Sequence, residues 1–481
     1  MNFWKKIWML LPMIILFLAG CYKDKGNYNY TPIAEMTISG LPDTVNAILL
    51  DTLKLQPVIT QPGMSNDKYS YDWFVVDYKA NTRTSVAATQ SLKMPVVIGV
   101  GEYPLVFRVT DKSTGISSTK QITMIVKSLL SNGALLLEET PQGGELSQVT
   151  PDYKVYRNLY SQANKGEKLS LPLKGIMGSY NDNNPYQQQV IFVNAGADPA
   201  LLDVQTYMKK GGLSQQFRQA PQPLAPGYYN CSNDAYVVNN GKIYGMQGAT
   251  DYPIKFVAPM AGDYKVASYL QPLYSWFAAF ATYDELNGRF AYGKQAGGDL
   301  LYYPPQGSTG AFDLNKVNKQ FVYAAPTILA YTLWLMKDSN GKLYIYIVNP
   351  DSNTEGAAIQ YVEVNNAPGM SAAGAFSVSA RVPQLYYGAG NQLYLYDYKA
   401  NSARSLYSLP ANESITAVQL LPDKTDNGWT YTTQNKLLII TWDGTASKLY
   451  YFDIEDTGEL KGGKPVKMID GFGKIVSLFY K

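Results

Sequence analysis

The stretch that decides the fold is Asn340–Val364, NGKLYIYIVNPDSNTEGAAIQYVEV. An Asn-Gly turn leads into an alternating apolar strand, a polar loop and a second alternating strand, the pattern of a half-buried hairpin. The same unit recurs in degenerate form. GALLLEETPQGGELSQV begins at Gly133, QQVIFVNAGADPALLDVQ at Gln188, GKIYGMQGATDYPIKFV at Gly241 and GRFAYGKQAGGDLLYY at Gly288. NQLYLYDYKANSARSLYSL follows at Asn391 and NKLLIITWDGTASKLYYFDI at Asn435. With the copy at Gly341 there are seven, spaced 44 to 55 residues apart.

A period near 50 residues with several short strands per unit predicts a β-propeller. Each unit is too small a sheet to stand alone and stacks on its neighbours. A linear stack would leave two end faces in need of polar caps, and a circle leaves none. Apolar runs such as Ile415–Leu421 before Asn435 and Ile328–Met336 before Gly341 are the expected innermost strands. The first hairpin has no such run, whereas the chain ends in Ile475–Tyr480 (IVSLFY) with no hairpin after it. The C-terminal strand is therefore expected to complete the first blade and close the ring.

At 481 residues the chain is too long for one ordinary domain, and 46% hydrophobic against 16% charged residues describes a foldable chain with few charges. Its 40 tyrosines suit an all-β protein. The first 20 residues stand apart: Lys5 and Lys6 precede the apolar run Met9–Leu18, which is too short to span a bilayer and has the form of a signal peptide. Lys5 and Lys6 are its only charges, so its removal takes the formal net charge from +3 to +1. A nearly neutral chain carries no electrostatic footprint for nucleic acid.

Leu18-Ala19-Gly20-Cys21 resembles the lipobox of bacterial lipoproteins. The resemblance implies cleavage before Cys21 and acylation of its thiol and new amine, and several acyl chains hold a protein stably in a membrane. Cys231 is the one cysteine left, so no intramolecular disulfide is available to the mature chain, and a buried structural thiol is expected there. Residues 21–34 are polar and Gly/Asn-rich, as a tether would be.

Residues 35–128 form an expected β-sandwich, with strands at Ala34–Ser39, Thr52–Val58, Ser70–Val76, Met94–Ile98, Gly101–Val109 and Ser118–Val126. GEYPLVFRVTDKSTGISSTKQITMIV (Gly101–Val126) resembles the end of a PKD domain, an immunoglobulin-like fold. YSYDWFVVD (Tyr69–Asp77) stands where that family has its core Trp strand, which puts Trp73 in the core, while the WDFGDG turn of the family is absent. The pentapeptide DYKAN occurs at Asp77–Asn81 and at Asp397–Asn401, between strands both times, and reads as shared turn chemistry. Lipobox, YKDKGNY, PKD-like sandwich and C-terminal repeats together resemble the PKD-like lipoproteins of Bacteroidota. That resemblance implies a cell-envelope lipoprotein commonly encoded beside SusC/SusD-type TonB-dependent importers; the expected place is the outer membrane, lipid-anchored and facing either the cell surface or the periplasm. It implies no catalytic residue, metal or cofactor. The expected architecture is all-β: signal peptide 1–20, tether 21–34, PKD-like sandwich 35–128 and a seven-bladed propeller over 129–481.

The sequence contains no histidine, which removes Ser-His-Asp and Cys-His nucleophile systems and His-based zinc sites. No phosphate-binding glycine loop is present. Paired carboxylates remain available to a hydrolase or lyase, with Asp251, Asp263, Asp284, Glu285 and Asp443 as loop candidates. Asn181–Asn184 and Asp338–Asn340 offer oxygen ligands without an EF-hand pattern and read as turns. Binding has more to draw on. The loops between second and third strands are expected at Pro141–Gly144, Asn194–Pro199, Gly248–Tyr252, Gln295–Gly298, Asn349–Gly356, Tyr398–Ala403 and Asp443–Thr445. Near them lie Tyr252, Tyr274, Trp276, Tyr303, Tyr398 and Trp442, flat rings suited to sugar faces or peptide side chains. Trp276 (in YSWFAAF) is expected near the axis, or packed between blades, and Asp443 beside Trp442 completes the candidate set. The expected role is capture of an oligosaccharide or peptide, or docking on the importer.

Overall fold

The computed structural model describes residues 35–63, 68–130, 132–179, 190–231, 234–246, 255–273, 278–305, 309–421 and 434–481. The expected signal peptide and tether, with Cys21, lie outside these residues. The described chain is all-β with two compact units. Among the described residues the first comprises 35–45, Lys54–Met94 and Tyr103–Met124, and the second comprises Asn46–Leu53, Pro95–Glu102 and Ile125–Lys481.

The sandwich contains a five-stranded sheet in the order Thr44–Ile48, Ser117–Lys127, Gly101–Asp111, Tyr69–Asp77, Thr82–Ala87. Two short pairs accompany it, Thr37–Ser39 with Val58–Thr60 and Thr52–Leu55 with Leu92–Pro95. Thr44–Ile48 and Thr82–Ala87 are strands that polar-rich sequence hid. Trp73 is fully buried, stands opposite Phe107 in register and has its ring centroid 4.5 Å from that ring. Its indole N–H reaches the carbonyls of Thr89 and Gln90, each at 3.1 Å, so the large apolar ring is buried without stranding its one donor.

Both DYKAN copies fold alike. Asp77 Oδ1 accepts from the N–H groups of Lys79 and Ala80 at 2.9 and 3.0 Å, and Asp397 Oδ1 from those of Lys399 and Ala400 at 2.8 and 2.9 Å. Each turn ends on a left-handed asparagine, Asn81 at φ 51° and Asn401 at φ 54°. Asx-turn chemistry accounts for the repeat of the pentapeptide.

The second unit holds seven antiparallel sheets in sequence order. The first blade runs Lys474–Tyr480, Ala134–Thr140, Gly143–Val149, Val155–Tyr156 from inside to outside. Lys474–Tyr480 pairs with Ala134–Thr140, so the C-terminal strand does complete the first blade. The second to seventh blades have as their second strands Val190–Ala195, Ala235–Asn239, Phe280–Asp284, Thr332–Lys337, Gln384–Ala389 and Lys436–Trp442. The ring is equally plain in its core. Seven apolar clusters each join one blade to the next, and the seventh carries Leu438 and Ile440 of the last blade against Ala134 and Leu136 of the first. Within Thr332–Lys337, Leu333 and Leu335 face the sixth blade while Trp334 and Met336 face the fourth. A strand sandwiched between blades is apolar on both sides, which is why these strands read as continuous hydrophobic runs.

That same property shifted the strand register expected from sequence. Leu343–Val348 and Ala358–Glu363, the hairpin of the opening stretch, are the third and fourth strands of the fifth blade. Its innermost strand is Gln320–Pro326, and Ile328–Ala330 is a turn in which Leu329 and Ala330 take φ of 60° and 58°. The copies at Gly241, Gly288 and Asn391 are displaced in the same way, whereas those at Gly133, Gln188 and Asn435 do start on second strands. Of the expected face-sharing loops, Pro141–Gly144, Asn194–Pro199 and Asp443–Thr445 join second to third strands. Gln295–Gly298, Asn349–Gly356 and Tyr398–Ala403 instead follow third strands, and an antiparallel meander puts those turns on the opposite rim.

Candidate functional site

Trp276, Tyr274, Tyr252 and Asp251, together with Asn181–Asn184, lie outside the described residues. Cys231 ends the innermost strand of the third blade, Pro226–Cys231. Two aromatic candidates are core residues. Tyr303 follows the outermost strand of the fourth blade, is 4% exposed and packs edge-on to Tyr292 at 5.3 Å. Its hydroxyl has no hydrogen-bond partner among the described residues, and burial pushes the phenol well above its ordinary range. Tyr398 is buried with its hydroxyl 3.1 Å from Thr327 Oγ1. A ring committed to the seam between blades offers nothing to a ligand.

Trp442 and Asp443 stay together at the end of the second strand of the seventh blade, with Trp442 half-buried. Asp443 Oδ1 accepts from Thr445 N, Thr445 Oγ1 and Ala446 N at 2.9, 2.7 and 2.8 Å. Those bonds, led by the Thr445 hydroxyl, hold its carboxyl down to about 2.

Sequence reading missed the acid beside it. Glu413 lies in the connection leading to the innermost strand Ser414–Leu421 and is 1% exposed. Its Oε1 accepts from Lys448 Nζ at 2.6 Å and its Oε2 from Thr441 Oγ1 at 2.8 Å, while the Tyr450 hydroxyl lies 3.0–3.1 Å from both oxygens. Burial pushes this carboxyl up, but Lys448, Thr441 and Tyr450 outweigh burial and leave it below the ordinary glutamate value. Asp443 Oδ2 stands 4.0 Å from the same Lys448 ammonium. The signal in the sequence is slight: an acid in PANESIT directly before an apolar run.

The remaining acids are occupied by structure. Asp284 is fully buried and accepts from Lys265 N, Leu286 N, Asn287 Nδ2 and Tyr302 OH at 3.1, 3.1, 2.6 and 3.0 Å. Glu285 Oε1 accepts from Phe321 N at 3.2 Å. Asp263 differs: it is exposed, and its bond from Asn287 Nδ2 at 2.9 Å goes to the main-chain carbonyl, so its carboxylate is not engaged by that contact. Asp338 takes the N–H groups of Asn340 and Lys342 and the Tyr344 hydroxyl, which makes 338–340 a turn as expected. Glu138 and Glu145 stand opposite each other in the first blade, both buried, but their carboxyls diverge: Glu138 goes to Ser147 and Gly473, Glu145 to Lys168 and Ser161. Among the described residues no group of three or more Cys, Asp or Glu could hold a metal ion.

Glu413 and Asp443 are both held ionised by one lysine and by hydroxyl and amide donors. An acid fixed in that way accepts hydrogen bonds and repels a second anion; it does not hand over a proton at neutral pH.

Residues 21–171 match the PKD-like family, a span that runs from Cys21 through the sandwich and the three outer strands of the first blade. No curated protein matches the sequence. Among solved structures, the chain is similar to a quinoprotein alcohol dehydrogenase-like protein from Bacteroides thetaiotaomicron, with 12% identity, 92% of this chain and 97% of that one covered, and a TM-score of 0.48. It is similar to the extracellular domain of a one-component system from B. thetaiotaomicron at 10% identity, 84% and 72% coverage and a TM-score of 0.27. Dipeptidyl peptidase 4 of Porphyromonas gingivalis gives 14% identity, 72% and 55% coverage and a TM-score of 0.32. Likeness at these levels says nothing about activity.

Proposed function

We propose that the chain is a non-catalytic lipoprotein, held in the outer membrane through an acylated Cys21, that serves a SusC/SusD-type importer. It does so by binding the oligosaccharide or peptide to be imported or by docking on the transporter. The observation that supports a non-catalytic ring is the state of Glu413 and Asp443. Both sit below the ordinary carboxylate range beside Lys448, so neither carries the proton that a glycosidase-type general acid delivers. The absence of histidine removes the usual alternative base. The PKD-like match beginning at the lipobox cysteine supports the envelope setting.

The test is an affinity pull-down of tagged, lipidated protein from solubilised outer membranes, run beside turnover assays on glycan and peptide panels. Stoichiometric recovery of a TonB-dependent transporter with its lid lipoprotein is the expected result. Turnover that disappears in Asp443→Asn or Asp263→Asn would overturn the reading in favour of a carboxylate-dependent hydrolase or lyase.

A further inference from the structure

We propose that the outward face of the five-stranded sandwich sheet is a receptor for the carboxylate of an acidic polysaccharide, built from Arg83 and Arg108. The proposal concerns the sandwich alone and stands whether or not the ring binds anything.

In Tyr69–Asp77 side chains alternate between faces, so Trp73 in the core puts Asp72 and Phe74 on the outer face. Arg108 stands opposite Asp72 on one neighbouring strand, and Ser85 stands opposite Phe74 on the other, two residues from Arg83. Both guanidiniums donate to the same oxygen, Asp72 Oδ2, Arg83 at 2.7 Å and Arg108 at 2.8 Å. Ser85 Oγ donates to Oδ1 at 2.8 Å, and the Arg83 guanidinium lies 3.7 Å over the Phe74 ring.

Two features make this a receptor and not a neutralised ion pair. The charges do not balance: two cations meet one carboxylate, which leaves one positive charge on a face that is apolar at Phe74, Val76 and Val106 and hydroxylic beyond Asp72. The cations are also immobilised. A shared oxygen on Asp72 holds the two guanidiniums side by side, and Phe74 supports one of them from beneath. Each guanidinium has five N–H donors and gives one Nη2 to Asp72. The rest belong to side chains that are 49% and 39% exposed. A planar fork fixed in advance suits a bidentate oxyanion, because the entropy of ordering the side chains has already been spent.

The neighbouring row favours a sugar as the carrier. Ser70 stands opposite Thr110, and Thr110 Oγ1 lies 2.7 Å from Ser117 Oγ, so a line of hydroxyls continues from the arginines along the same face. Hydroxyls on a sheet face match a hydroxyl-rich chain. A peptide recognised through its backbone would pair instead with a strand edge.

The probe is polygalacturonate, with neutral dextran and poly-glutamate as comparisons, tested on the full mature protein by affinity electrophoresis and calorimetry. Polygalacturonate should bind and dextran should not. The double variant Arg83→Gln with Arg108→Gln should lose binding by about tenfold or more, since each charge-assisted bond is a strong one. Thermal unfolding of the variant, expected near that of the parent, shows that the sheet is intact. Arg83→Lys with Arg108→Lys keeps the charge and loses the fork, so it should bind weakly and with greater sensitivity to salt. Unchanged polygalacturonate binding in the Gln variant would overturn the site. Equal, arginine-dependent binding of poly-glutamate would overturn the sugar in favour of an acidic peptide, and no binding of any polyanion would overturn the proposal altogether.

Discussion

The main-chain N–H of Gly473 donates to Glu138 Oε2 at 2.8 Å, which ties the exit of the last blade to the second strand of the first. Gly473 is the whole connection between the outermost strand of the seventh blade, Lys467–Phe472, and the closing strand. Its flank is crowded: a Cβ there would stand 2.2 Å from the Glu139 carbonyl oxygen. Glu138 also accepts from Ser147 Oγ. The corner at which the ring closes thus depends on one buried carboxylate and one missing methyl group, beside the strand pairing and the apolar seam described above. Glu138→Ala should destabilise the ring by about 2 kcal/mol through two stranded donors. Gly473→Ala should cost about 1–3 kcal/mol through forced displacement of the strand. Urea unfolding of each variant measures both.

The Glu413–Lys448 pair predicts how the seventh blade responds to pH. Glu413 is held below its ordinary value when folded, so its contribution is present above about pH 4.5 and is lost as pH falls through the folded value. Lys448 is raised, chiefly by the Glu413 bond, so its contribution is present below about pH 10 and is lost as pH rises through its raised value. Glu413→Gln leaves the partly buried Lys448 beside Asp443 alone and should cost about 3 kcal/mol at neutral pH. Its stability should also depend less on pH at the acid end. Melting curves of parent and variant across pH 3–7 would reveal a parallel shift if the pair carried no linkage.

Tyr303 separates core from ligand site. Its hydroxyl is buried without a hydrogen bond, so Tyr303→Phe removes a desolvated group and keeps the ring. The variant should melt at or above the parent temperature, with a gain of up to about 1 kcal/mol. A drop of similar size, or any loss of ligand capture, would return Tyr303 to the candidate surface.

Blade number and ring closure were legible because both depend on periodicity and on Ile475–Tyr480 having no hairpin of its own. The strand register was not. In a propeller the second and third strands are buried on both faces, as Thr332–Lys337 and Leu343–Val348 are, and a continuous apolar run does not say which of the two it is. From that slip came the assignment of Gln295–Gly298, Asn349–Gly356 and Tyr398–Ala403 to the wrong rim. The site fared similarly. Aromatic residues near turns read as surface, yet Tyr303 and Tyr398 turn inward to fill the seams between blades. Glu413 escaped notice because its importance lies in Thr441, Lys448 and Tyr450, which only the folded blade brings to it. Asp443 and Asp338 carried their turn chemistry openly, in the residues that follow them.

The two DYKAN turns allow the sharpest comparison, because local sequence and backbone are the same and only the surroundings differ. Tyr78 is 77% exposed and Tyr398 only 4%. Asn81 carries its positive φ with no side-chain hydrogen bond among the described residues. Asn401 Oδ1 accepts from Asn365 N at 2.8 Å and from Tyr396 OH at 2.6 Å, and its Nδ2 donates to the Glu363 carbonyl at 2.9 Å. Glycine tolerates the left-handed conformation in either turn, so Asn81→Gly should stay within about 0.5 kcal/mol of the parent. Asn401→Gly keeps the backbone but abandons three partners at the junction of the fifth and sixth blades, and should cost about 2–3 kcal/mol. Denaturant titration of the two variants decides the matter. Equal losses would mean that the turn itself, and not the seam it fastens, sets the value of the asparagine.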